Sequence, residues 1–113
     1  MRVLQQKQTK TRKNSKACTA IEYPLADKRI DGALIRLKGR YPDKGRCVNL
    51  KCKGMAYVIK GKGILEVEGK KITLKLGTLV LINPKEKYFW QGNLEIFICC
   101  TPAWYKSQHK IVG

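Results

Sequence analysis

A chain of 113 residues is the size of one domain and too short to build two hydrophobic cores. Hydrophobic residues make up 43% of it, yet no apolar run approaches the roughly 20 residues of a membrane span, so no membrane partner is expected. The 24 Lys and Arg residues against 8 Asp and Glu leave a net charge of +16, which raises the local concentration of anions without dictating a fold.

Residues 1–16 carry Arg2, Lys7, Lys10, Arg12, Lys13 and Lys16, no acidic residue and little apolar periodicity, and read as a flexible basic arm. The remainder, 17–113, is still +10, so the basic character belongs to the folded body as well. From Ile21 onward short β-favouring runs alternate with Gly, Pro, Asn and Asp, the pattern of an all-β sandwich or barrel. Strands are predicted over 21–24, 32–37, 46–49, 55–60, 63–68, 71–76, 78–82, 87–91 and 94–100. The stretch from Ile64 to Leu76 alternates apolar and charged residues on both sides of Gly69, which predicts a β-hairpin. Leu65, Val67, Ile72, Leu74 and Leu76 would face the core, and Glu66 and Glu68 the solvent. Gly61-Lys62-Gly63 reads as a tight turn; it lacks the third glycine and the following helix of a phosphate-binding loop. Asn83-Pro84 ends the 78–82 run. The N-terminus lacks the apolar segment of a secretory signal, and five cysteines form an odd set with no C-x-x-C pair. Reduced thiols and a cytoplasmic location are the corresponding expectation.

Two strings set the next inference: Tyr57-Val58-Ile59-Lys60-Gly61-Lys62-Gly63, and Gly77-Thr78-Leu79-Val80-Leu81-Ile82-Asn83-Pro84 after the hairpin. Their spacing resembles the two motifs of the cupin superfamily. The resemblance implies an antiparallel double-stranded β-helix, or jelly-roll barrel, over about Gly39 to Gly92. Shorter similarities at Gly39-Arg40-Tyr41-Pro42 and Thr101-Pro102-Ala103-Trp104 imply a small, stand-alone bacterial cupin, commonly a homodimer through sheet-on-sheet contact. Carried over position by position, the family's metal-binding histidines and glutamate fall on Cys47, Asn49, Gly54 and Tyr88, so the metal motifs are degenerate. The chain's one histidine, His109, lies near the C-terminus, and no metal or other cofactor is expected.

Cys47 and Asn49, two apart on one strand, project to one face, which the resemblance makes the barrel interior. Tyr88 and Trp90 likewise share a face, with Phe89 opposite. These four are the predicted ligand contacts, and each has a plain structural reading beside it. A cysteine is a common small core residue, and the two rings fill volume as readily as they grip a ligand. A thiolate zinc site built from Cys47, Cys52, Cys99, Cys100 and His109 is disfavoured, because adjacent Cys99 and Cys100 point to opposite faces of a strand. Activation of Cys47 as a nucleophile would need a base, and Lys51 and Lys53 are the nearest cations in sequence.

Three functions follow as expectations. The first is binding of a small polar or anionic metabolite in the barrel without a histidine-held metal. The second is a basic module engaging nucleic acid or another acidic partner. The third is a metal-independent isomerase or epimerase of the cupin type, for which the sequence offers no obvious pocket histidine.

Overall fold

The computed structural model describes residues 1–113. Nine strands run β1 Lys10–Lys13, β2 Cys18–Tyr23, β3 Gly32–Tyr41, β4 Arg46–Asn49, β5 Lys53–Val67, β6 Lys70–Leu74, β7 Leu79–Ile82, β8 Lys87–Thr101 and β9 His109–Val112. Two single 3-10 turns, Gln6–Gln8 and Lys106–Gln108, are the only helical pieces, and neither is long and apolar enough to cross a membrane. Every pairing is antiparallel. One path runs β1-β2-β3-β8-β4-β9, and β5 pairs with β6, β7 and β8.

The two 15-residue strands, β5 and β8, each replace two shorter predicted strands. Gly61 and Gly63, read as a tight turn, are instead bends within the continuous strand β5. Gly39, Gly92 and Gly63 stand side by side across β3, β8 and β5. A Cβ on Gly92 would lie 2.5 Å from the Lys62 carbonyl oxygen and 2.6 Å from the Gly63 Cα, so only bare backbone lets the strands close up at this corner. A β-bulge between Val58 and Lys60 adds a second device. Before it the odd residues Met55 and Tyr57 are exposed and Ala56 and Val58 buried; after it the even residues Lys60 and Lys62 face out.

The inward side chains form one core, with Leu37, Val58, Leu65, Leu74, Leu94 and Ile96 at its centre. The β5–β6 hairpin closes through Glu68 and Gly69, both at positive φ, a two-residue turn of the kind that matches strand twist. Two expectations about this hairpin are corrected. Ile72 and Leu76 are exposed, because β6 pairs only with β5 and ends at Leu74. Glu66 is buried rather than solvated: Arg46 reaches across from β4, donates from Nε at 2.8 Å and covers the carboxylate.

The basic arm is also corrected. Lys10–Lys13 is a strand, in register with β2 from Lys10 opposite Glu22 to Lys13 opposite Thr19. The turn between them is closed by the N–H groups of Asn14 and Ser15, which donate to the Cys18 carbonyl at 2.9 and 3.2 Å. Arg12 pairs with Glu22 at 3.3 Å. All four β1 residues are exposed at the sheet edge, so the strand carries no hydrophobic alternation to announce it.

Candidate functional site

A cavity of about 110 Å³ opens at one end of the barrel. An engineered cavity of ~150 Å³ accepts benzene, so this space suits one small ring or its equivalent and no macromolecule. Ile35 on β3 and Ile96 and Ile98 on β8 make its apolar wall, while Tyr41, Asn49, Tyr88 and His109 make a polar one. Arg12, Glu22 and Trp104 frame the mouth, with the Arg12 guanidinium 4.8 Å from the Trp104 ring centroid.

The polar wall is organised from the backbone upward. Gln108 ends the second 3-10 turn and is buried. Its Oε1 accepts the backbone N–H groups of Lys51 and Cys52, each at 3.2 Å. Its Nε2 must therefore point the other way, and it donates to Asn49 Oδ1 at 2.9 Å. With Oδ1 fixed as the acceptor, Asn49 Nδ2 donates to the Tyr88 oxygen at 3.1 Å. His109, opposite Asn49 in the β4–β9 register, brings Nδ1 to the same Oδ1 at 2.9 Å. A carboxamide oxygen only accepts, so Nδ1 carries the hydrogen and Nε2 keeps its lone pair. Nε2 lies 3.4 Å from the Tyr41 hydroxyl, which is placed to donate to it.

The titration behaviour agrees with this arrangement. Desolvation lowers the His109 pKa from its ordinary 6.5, which keeps the imidazole neutral at pH 7. Desolvation raises the Tyr88 pKa well above its ordinary value, with the Cys47 thiol adding to the shift, so the phenol keeps its proton. Tyr41 is raised as well, mainly by burial. Burial pushes Cys47 up to about 12, against a lowering contribution from its hydrogen bond with Tyr41.

Of the predicted contacts, Asn49, Tyr88 and Trp90 line the cavity, the two rings meeting edge to face with centroids 6.4 Å apart. Cys47 does not. It is fully buried behind Tyr41, a protonated thiol in the core rather than a cavity contact or an activated nucleophile. Phe89 points to the other face, beneath the guanidinium groups of Arg40 at 4.0 Å and Arg46 at 5.2 Å. Residues that the sequence reading left out are Tyr41, Gln108, Trp104 and Arg12, and it left His109 without a place. The alternating β-favouring run His109-Lys110-Ile111-Val112 was the available signal for β9 and for the histidine it delivers.

The metal positions of the family do not fit a divalent ion here. Cys47 holds its proton, the Asn49 oxygen is occupied by two donors, Gly54 has no side chain, and Tyr88 is a buried phenol. No three His, Cys, Asp or Glu side chains converge to form a metal-sized cluster.

No protein-family model and no curated protein matches this chain. Solved structures do. Pac13, described as a unique nucleoside dehydratase, superposes with a TM-score of 0.88 at 13% identity, over 99% of this chain and 91% of that one. A variant of the Streptomyces protein with uridine gives 0.86 at 14% identity, covering 96% and 88%. KdgF from a Halomonas species gives 0.70 at 12% identity, covering 84% and 87%. Agreement of backbones at such low identity speaks to architecture, and these neighbours are cupin barrels. The chain folds as a small, single-domain cupin barrel, antiparallel throughout.

Proposed function

We propose that this barrel binds a small polar metabolite in its cavity and moves a proton on it without a metal ion. His109 Nε2 is the base, and the phenols of Tyr88 and Tyr41 are the hydrogen-bond donors and acids. The observation that carries this reading is the chain from the backbone amides of Lys51 and Cys52 through Gln108 and Asn49, which fixes the His109 tautomer. A neutral imidazole with a bare Nε2 stands beside phenols that keep their protons, so the cavity wall offers a proton acceptor and proton donors side by side. Isomerisation, epimerisation and elimination of water all need such a pair. The third expectation from sequence thereby gains the pocket histidine it lacked.

The name of the dehydratase and the uridine bound to its variant add a probe. The uracil ring of uridine is expected to enter the cavity, with its ribose left at the mouth, and to quench the fluorescence of Trp90 and Trp104, and Asn49→Ala with Tyr88→Ala to abolish the quench. Native mass spectrometry of protein from its source identifies the metabolite that co-purifies. In D2O that metabolite should take up solvent deuterium with the parent protein and not with His109→Gln. Uptake unchanged in His109→Gln would end the assignment of the base, and binding unchanged in the double variant would end the assignment of the site.

A homodimer is the second part of the proposal. Met55 and Tyr57 on β5 lie beside Leu81 and Leu79 on β7, all four between 47% and 61% exposed on the outer sheet face. An uncovered apolar strip of this kind is what a partner copy would bury. Leu81→Asp should then convert a dimer to a monomer in light scattering, and a parent that is already monomeric would refute it.

A further inference from the structure

The cavity makes no use of the charge that dominates the composition, and most of that charge lies on the folded body. On the outer side of the corner made by Gly39, Gly92 and Gly63, the register sets two rows across β3, β8 and β5. The first is Arg36, Glu95 and Lys60; the second is Lys38, Asn93 and Lys62. Glu95 is the only acid among them, 3.6 Å from Arg36 and 4.0 Å from Lys60. Lys38 and Lys62 are exposed and have no carboxylate partner. Exposed Lys16 belongs to the same edge, since the Lys38 N–H donates to the carbonyl of its neighbour Ala17 at 2.8 Å. Gln91 and Asn93 add exposed amide donors along β8.

We propose that this corner ridge binds the phosphate backbone of duplex nucleic acid without regard to base sequence. Three strands about 4.8 Å apart make a ridge roughly 10 Å across, which a groove about 12 Å wide accommodates. The two rows carry charged and amide side chains and no aromatic ring, which suits a phosphate backbone better than stacked bases; the nearest exposed ring, Tyr57, lies one row further on, opposite Phe97. The chemistry favours nucleic acid over a lipid surface, because the two rows present no large apolar side chain to insert. The site is separate from the cavity and stands whether or not the proposed reaction does.

Fluorescence anisotropy of a short labelled DNA duplex, titrated with the full chain over a range of salt, tests it. Lys38→Ala with Lys62→Ala should lower the slope of log K against log salt by about 2, since each phosphate contact contributes ~0.9. Lys53→Ala with Lys106→Ala, which removes two exposed lysines elsewhere, should leave the slope unchanged. A duplex of scrambled sequence should bind equally. Equal loss of slope in both double variants would overturn the proposal, as would failure of the parent to bind duplex at low salt, or binding to phosphatidylserine vesicles alone.

Discussion

The cavity wall and the corner ridge both consist of polar side chains on the same strands, and they use them in opposite ways. At the wall each polar side chain is held by another group: Gln108 by two backbone amides, Asn49 by Gln108, His109 and Tyr88. No buried side-chain nitrogen or oxygen is left without a partner. At the ridge Lys38 and Lys62 are committed to no carboxylate. Burial explains the difference, because an unpaired polar group costs about 1–3 kcal/mol inside a protein and almost nothing in water. A buried network consequently fixes geometry down to a single hydrogen, whereas a surface cluster acts through its summed charge.

Substitutions should separate the two regions by the size of their effect. Gln108→Leu leaves the N–H groups of buried Cys52 and of its neighbour Lys51 without an acceptor and should destabilise the fold by about 3–4 kcal/mol. In a thermal melt that is a drop of roughly 15 °C or more. Arg46→Met strands the Glu66 carboxylate and should cost about 2 kcal/mol, below the value for a fully buried pair because the Arg46 side chain is 36% exposed. Adding Glu66→Gln should recover part of that loss.

His109 offers a pH test, and as the only histidine it gives an unmixed signal. Its folded pKa lies below the ordinary 6.5, so the folded state binds the proton less readily than the unfolded chain. Its contribution to stability is present above pH 6.5 and is lost as pH falls through the lower folded value. His109→Gln should remove that part of the acid sensitivity of the melting temperature. Smallest of all, Lys38→Ala with Lys62→Ala should change stability by no more than about 0.5 kcal/mol, since neither residue is buried or paired.

The architecture was legible in the sequence because strand alternation and glycine spacing are local. The hairpin at Gly69, with Leu65 and Leu74 buried, follows from its period of two. The continuity of β5 through Gly61 and of β8 through Gly92 was hidden, because a glycine that bends a strand and one that ends it look alike in a single chain. Asn49, Tyr88 and Trp90 were found by position within the motifs. Gln108 and His109 were not, because a pairing of β4 with β9 across 60 residues of sequence brings them to Asn49, and Tyr41 was not, because it reaches His109 from β3, 68 residues away in the chain. Cys47 was assigned to the cavity from strand parity and its place in the first motif, which distinguish inside from outside but not the cavity from the packed layer behind it.

The state of the His109 ring is the most direct test of the cavity wall. A two-dimensional 15N–1H correlation of the imidazole at pH 7 reads which nitrogen carries the hydrogen. The hydrogen-bond chain requires the hydrogen on Nδ1, and burial, which lowers the pKa of the ring, keeps it neutral with a bare Nε2. A ring protonated at Nε2, or at both nitrogens, would contradict it.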